Sequence, residues 1–140
     1  VVSSDTVVVL NGKIYGKPED DKHAREILSE LSGNTHQVIT AVAFYFRRPN
    51  SDQTVSISFH QKTDVTFSKI DDELMDLYIA EGEGRDKAGS YGIQGMGLTF
   101  IKEINGSYSN VVGFPLEMVI QELRKVSANY FEVDSFRDIF

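Results

Sequence analysis

Apolar residues recur at two spacings along this chain, and the switches between them outline its plan. Residues 7–10 are a short β-branched run, Asn11-Gly12 is a two-residue hairpin signal, and residues 13–15 can return antiparallel. Gly16-Lys17-Pro18 breaks the strand. Ala24, Ile27, Leu28 and Leu31 then fall at helical spacing, behind a cap at Asp20 or Asp21. Gly33 is the expected left-handed terminator. The cluster Glu19-Asp20-Asp21 suits the positive end of that helix and is read as its solvated terminus.

The next long segments alternate. Val38, Val42 and Phe44 mark one face of a strand over residues 36–46, and a turn over 47–52 leads into a second strand over 54–67. In that strand Val55, Ile57 and Phe59 alternate, and Val65 and Phe67 resume the pattern after an irregular step. The two read as antiparallel neighbours. A helix over residues 71–80 is expected to bury Leu74, Leu77 and Tyr78, and residues 81–97 form a glycine-rich loop. A strand over 98–104 ends at Asn105-Gly106, residues 109–114 read as extended, and Pro115 suits the first turn of a helix burying Leu116, Val119, Ile120 and Leu123. The pattern fades after Lys125, and residues 130–140 hold four aromatics that suit a packed tail or a docking segment. With no internal repeat and no linker, residues 1–140 read as one α/β domain with a tail at 126–140. Alternation outweighs continuous apolar runs, so we expect a mixed β-sheet with flanking helices and one face partly open.

Composition narrows the function classes. A hydrophobic content of 41% with 25% charged residues is ordinary for a soluble globular protein. The net charge of -7 argues against a nucleic-acid backbone or an anionic membrane as main partner. A phosphate ester is still compatible, provided the local site is basic. The absence of cysteine excludes disulfides and thiolate metal sites and fits a reducing compartment. No apolar run approaches bilayer-spanning length and no signal peptide is visible, so a cytoplasmic location is expected. The chain opens on Val1-Val2 rather than methionine, and we expect a longer parent protein.

Chemistry concentrates in residues 86–97, Asp-Lys-Ala-Gly-Ser-Tyr-Gly-Ile-Gln-Gly-Met-Gly. Four glycines there demand positive φ or close approach, while Lys87 and the bifunctional amide of Gln94 suit an anionic ligand with a hydrogen-bonding edge. The plainer reading is a flexible surface loop. Asp5, between Ser4 and Thr6, is a carboxylate beside a buried strand, costly there unless paired, hydrogen-bonded or holding a metal. In isolation it reads as a turn or capping residue. Lys17, fixed between Gly16 and Pro18, suits a cleft, although most lysines only solvate a surface; Lys87 beside Asp86 suits a local ion pair. Phosphate-loop, nucleophile-elbow and His-Glu-x-x-His signatures are all absent. His23, His36 and His60 are scattered and read as structural or exposed.

Four blocks give these pieces a frame. They are Ser-Ser-Asp-Thr-Val-Val-Val-Leu-Asn-Gly-Lys-Ile-Tyr-Gly-Lys-Pro at 3–18, Leu-Ser-Gly-Asn-Thr-His-Gln-Val at 31–38, Asp-Lys-Ala-Gly-Ser-Tyr-Gly-Ile-Gln-Gly at 86–95 and Ser-Asn-Val-Val-Gly-Phe-Pro-Leu at 109–116. In order and spacing they resemble the Maf family of nucleoside triphosphate pyrophosphatases, over residues 1–125. The resemblance implies an α/β fold related to inosine triphosphate pyrophosphatases, with two lobes around a cleft. It implies metal-dependent attack of water on the α-phosphorus, with Mg²⁺ or Mn²⁺ and a nucleoside triphosphate as partners. By the same resemblance Asp5 is the catalytic acidic residue near the metal, and Thr6 and Gln94 bear on substrate choice. Lys17 neutralises phosphate charge, with Lys87 as a weaker candidate for the same work.

The neutral amide of Gln94 suits a uracil or thymine edge. The sister subfamily acting on 7-methylguanosine triphosphate carries glutamate there, so the dTTP/UTP type is implied. Nothing here matches the family's amino-terminal Ser-x-Ser-x-Arg-Arg loop, and Ser4 replaces its more usual alanine. Part of the sheet and half of the cleft are therefore expected to lie outside this chain. The alternatives are a non-catalytic Maf-like nucleotide-binding or interaction module and, less favoured by Gln94, clearance of inosine-type triphosphates. A homodimer is compatible with the resemblance.

Overall fold

The hairpin signal at Asn11-Gly12 is where the fold begins. Both residues take positive φ, 50° and 80°, giving a turn whose twist matches the flanking strands. It joins β1 (Val2–Leu10) to β2 (Lys13–Tyr15), with Leu10 opposite Lys13. The computed structural model describes residues 1–131. Within them β3 (Thr35–Arg47), β4 (Thr54–Phe67) and β5 (Ile101–Asn105) complete a five-stranded sheet in the order β2-β1-β3-β4-β5. The α/β class with flanking helices holds. Every ladder among the described residues is antiparallel, a simpler sheet than the mixed one expected. β2 reaches only Val8–Leu10, so residues 2–7 of β1 pair with β3 alone and keep an open outer edge.

Four helices accompany the sheet among the described residues: α1 (Asp21–Leu31), α2 (Asp72–Glu81), α3 (Tyr108–Val112) and α4 (Leu116–Tyr130). Asp20 caps α1 by accepting the His23 N–H at 2.7 Å, and Gly33 follows it at φ 72°, both as the sequence led us to expect. One face of the sheet carries two apolar clusters. In the first, Val8, Val38, Val65 and Phe67 pack with Ile27, Leu28 and Leu31 of α1, Met75 and Tyr78 of α2, and Tyr91 and Phe100. In the second, Val42 and Phe44 meet Val119 and Val126 of α4. The opposite face is exposed at Ala41, Tyr45, Ser58 and His60 and half-buried at Ile39, Ala43 and Asp64.

Between the clusters runs a polar seam. The Asn110 amide of α3 donates to the Val38 carbonyl at 3.1 Å and to Thr63 Oγ1 at 2.9 Å. Thr40 shares a 2.9 Å hydrogen bond with Thr6 and donates to the Asn110 carbonyl at 3.1 Å. Bonds of this kind offset the cost of burying polar groups, and among the described residues of the seam only Asn110 Oδ1 and Gln61 Oε1 are buried with no partner. The seam also explains the irregular step in β4. Its register against β3 is unbroken from Thr54 to Thr66, and Gln61 and Thr63 simply occupy the inward positions between Phe59 and Val65.

Several expectations are corrected. Residues 109–114 are not extended: Ser107 accepts the Asn110 N–H at 3.3 Å, Gly113 ends the turn at φ 114°, and the buried Asn110 locks α3 against the sheet. Residues Met96–Phe100 form a 3-10 helix, so β5 starts at Ile101. Leu77 is 53% exposed and Leu116 54%, while Met75 and Val126 take inward positions that had been missed. α4 runs past Lys125 to Tyr130. The rest of the expected tail, residues 132–140, lies outside the described residues. His36 is buried and His60 exposed, as expected; His23 is half-buried and accepts the Glu19 N–H at 3.2 Å.

Candidate functional site

A cavity of about 760 Å³ opens along the free edge of β1. Its walls are Ser4–Val8 of β1, Gly16 and Lys17 after β2, the loop from Glu83 to Gly95, and Val112-Gly113 at the end of α3. Asp5, Thr6, Lys17, Lys87 and Gln94 all line it, so candidates from three separate stretches meet in one cleft.

Each is placed by a local cause. Asp5 and Thr6 are adjacent in a pleated strand and so point to opposite faces, opposite Ala41 and Thr40 respectively. The cleft takes in both because it wraps the strand's open edge. Asp5 is exposed, and its Oδ1 accepts the Thr6 N–H at 3.0 Å. That uses one of roughly four lone-pair sites of a carboxylate. No ion pair of Asp5 forms among the described residues. Lys17 is exposed, and the preceding Gly16 carbonyl accepts the Gly89 N–H at 3.1 Å, tying the β2 exit to the glycine-rich loop. Gly89 needs its φ of 69°, and a Cβ there would stand 2.8 Å from Val8 Cγ2, so this loop is pressed directly onto β1. Lys87 Nζ lies 3.2 Å from Asp86. That hydrogen bond, with the charge of Lys87 and a smaller contribution from Lys17, holds the Asp86 carboxyl below the usual carboxylate range. Further along, Tyr91, Gly92 and Ile93 are buried and Gln94 emerges exposed.

Two groups were not read from the sequence as part of the site, Tyr78 having been expected only as a buried helix residue. The Glu83 carboxylate accepts the N–H groups of Met96 at 2.6 Å and Gly97 at 3.1 Å. The Tyr78 hydroxyl accepts the Gly92 N–H at 3.2 Å, and burial pushes its pKa up. An acidic residue between Gly82 and Gly84 was the available signal for the first. Behind the loop, His36 Nε2 and the Tyr91 hydroxyl are 2.8 Å apart. Burial pushes the His36 imidazole down to about 4.

The lining is not simply basic, as a phosphate ester had seemed to require. Lys17 and Lys87 face Asp5, Glu83 and Asp86, with Glu83 committed to backbone and Asp86 to Lys87. No group of three or more metal-ligating side chains forms among the described residues. A divalent ion held here would have to draw most of its ligands from solvent and phosphate oxygens, a mode usual for Mg²⁺, and Asp5, with no ion pair among the described residues, could serve as its protein ligand.

An α/β domain with a cleft of mixed charge at a strand edge is the class these features define. The chain belongs to the Maf family: residues 1–126 match the family described as Maf-like protein. It is 47% identical over 129 residues to a dTTP/UTP pyrophosphatase of Agathobacter rectalis, with 92% of this chain and 62% of that protein covered. To a dTTP/UTP pyrophosphatase of Escherichia coli O157:H7 it is 48% identical over 128 residues, covering 91% and 62%. To one of Alcanivorax borkumensis it is 44% identical over 134 residues, covering 96% and 66%. The chain thus spans a little under two thirds of the length of these curated relatives. No helix among the described residues is long and apolar enough to cross a membrane.

Proposed function

We propose that this chain forms the greater part of a nucleoside triphosphate pyrophosphatase acting on dTTP and UTP. The observation that carries the reading is the convergence of Asp5, Thr6, Lys17, Lys87 and Gln94 on one cavity. The dTTP/UTP pyrophosphatases to which the chain is near 45% identical support the same substrate class.

In this reading a water attacks the α-phosphorus. A new P–O bond forms, the bond from that phosphorus to its bridging oxygen breaks, and inorganic pyrophosphate leaves from the monophosphate. Asp5 orients the water and accepts its proton. Lys17 and Lys87 neutralise charge on the triphosphate, since such transfer demands positioning and electrostatics more than a protein nucleophile. Thr6, its hydroxyl held against Thr40, and Gln94 choose the substrate, Gln94 by pairing donor and acceptor with a neutral pyrimidine edge. Mg²⁺ or Mn²⁺ would be held by Asp5, and when bound it supplies the positive charge that two lysines leave lacking. One domain, a cytoplasmic location and a homodimer belong to the same reading.

The test is pyrophosphate release from dTTP, UTP, 7-methyl-GTP and ITP with Mg²⁺, on the protein at full native length. Release from dTTP and UTP, lowered at least ~100-fold by Asp5→Asn without a change in melting temperature, upholds the reading. No release from any of the four by a folded protein refutes it in favour of a non-catalytic nucleotide-binding module.

A further inference from the structure

We propose that Glu83 is a specificity-determining positioning residue, whose carboxylate holds the loop that offers Gln94 to the base of the nucleotide. The inference rests on the reading of Gln94 given above. Glu83 follows Gly82, the left-handed residue that ends α2, and is half-buried in the cavity wall. Its two oxygens are divided between successive backbone donors, Oε2 taking the Met96 N–H at 2.6 Å and Oε1 the Gly97 N–H at 3.1 Å. Those amides open the 3-10 helix Met96–Phe100, where helical bonding leaves them without partners and a negative charge is favoured. Charge-assisted bonds of this kind are about twice as strong as neutral ones.

Gly95 lies hard against the clamp, since a Cβ there would stand 2.1 Å from Glu83 Oε2. On the other side of Gln94, the Tyr78 hydroxyl takes the Gly92 N–H at 3.2 Å and donates to Glu83 Oε1 at 3.4 Å. Ile93, 3% exposed, anchors the chain immediately before Gln94. Gln94 is therefore the one exposed side chain between a buried anchor and a carboxylate clamp. Because both Glu83 oxygens are held by backbone, this group sets where the amide stands and takes no part in proton transfer.

The experiment is steady-state kinetics with dTTP and UTP on the full-length protein, comparing E83Q, Q94A and the double variant. E83Q keeps the shape but has one acceptor oxygen where two are used. It is expected to raise KM about tenfold while kcat stays within about threefold. Added to Q94A it should change KM less than about twofold, because the clamp then holds nothing that reads the base. Inhibition by inorganic pyrophosphate, which has no base for Gln94 to read, should not change. Y78F, which removes one hydroxyl and keeps the buried ring, is expected to raise KM in the same direction and serves if E83Q does not fold.

A loss in kcat with KM unchanged, multiplicative effects in the double variant, or parallel weakening of pyrophosphate inhibition would each overturn the assignment. If wild type hydrolyses no triphosphate, the enzymatic reading has failed, and UMP titration then judges this one. Weaker UMP binding by E83Q upholds it. Equal binding, or none by wild type, overturns it.

Discussion

Asn110→Asp exchanges one NH₂ group for one oxygen at the centre of the polar seam, with no change of shape. The wild-type amide is fully buried and donates to the Val38 carbonyl and to Thr63 Oγ1. An ionised aspartate there would set negative oxygens against the Val38 carbonyl, so the folded state prefers the protonated acid, which can still donate. Burial of this degree raises a carboxyl pKa by ~3–5 units from an unfolded value near 3.9. At 1.36 kcal/mol per unit, the variant loses roughly 4–7 kcal/mol of stability across that span, against a total of about 5–15 kcal/mol for a typical domain. The sign follows from the raised folded pKa. The variant's stability is complete below about pH 4 and is lost as pH rises through the folded-state value. Urea denaturation of both proteins, followed by far-UV circular dichroism at pH 4.5, 6 and 8, reads the difference directly. A stability difference that grows with pH supports the seam as described. A flat difference, or one under about 1 kcal/mol at pH 8, would mean that Asn110 is not a buried donor and that α3 is held some other way.

Other consequences are equally open to measurement. The His36 pKa, lowered from 6.5 to about 4 by burial, is a native-state imidazole kept neutral. Its contribution is present above pH 6.5 and is lost as pH falls toward 4, a change of roughly 3 kcal/mol, and His36→Leu should flatten that limb of the stability-pH curve at the cost of a constant offset from the unpartnered Tyr91 hydroxyl. Gly97→Ala would put a Cβ 2.4 Å from the Gly92 carbonyl oxygen, a backbone atom that cannot swing aside. Thermal melts should show a loss of ~1–3 kcal/mol, with KM for dTTP raised in parallel. Gln94→Glu, on an exposed side chain, should leave the melting temperature unchanged while weakening dTTP and UTP hydrolysis; unaltered kinetics would count against the base-reading role.

What could be read from the chain was whatever a few neighbouring residues decide among themselves. The Asn11-Gly12 turn, the Asp20 cap and the α1 stripe of Ala24, Ile27, Leu28 and Leu31 need no distant partner, and all stand as expected. α3 was misread because its β-branched pair Val111-Val112 favours a strand, whereas the amide of Asn110 finds Val38 and Thr63, 72 and 47 residues away. Leu77 and Leu116 are apolar without facing either cluster, an outcome that composition cannot signal. Asp5, Lys17, Lys87 and Gln94 drew notice by their own chemistry, but each also had a plainer reading as a turn, surface or ion-pair residue, and the resemblance of whole blocks is what tied them to one site. Glu83 had no such mark, for its partners are backbone amides and any residue type can supply one.

The polar seam has a consequence for how this domain can change over time. Val42, Phe44, Val119 and Val126 lie on one side of it, while the loop bearing Gln94 packs on the other, with Phe67, Tyr78 and Tyr91. Coupling between mutations fades where sites share no partner. Substitutions in the α4 cluster can therefore raise or lower heat tolerance while leaving the Gln94 loop and the cleft it lines where they were. Drift in that loop, by the same partition, need not erode the hold of α4 on the sheet.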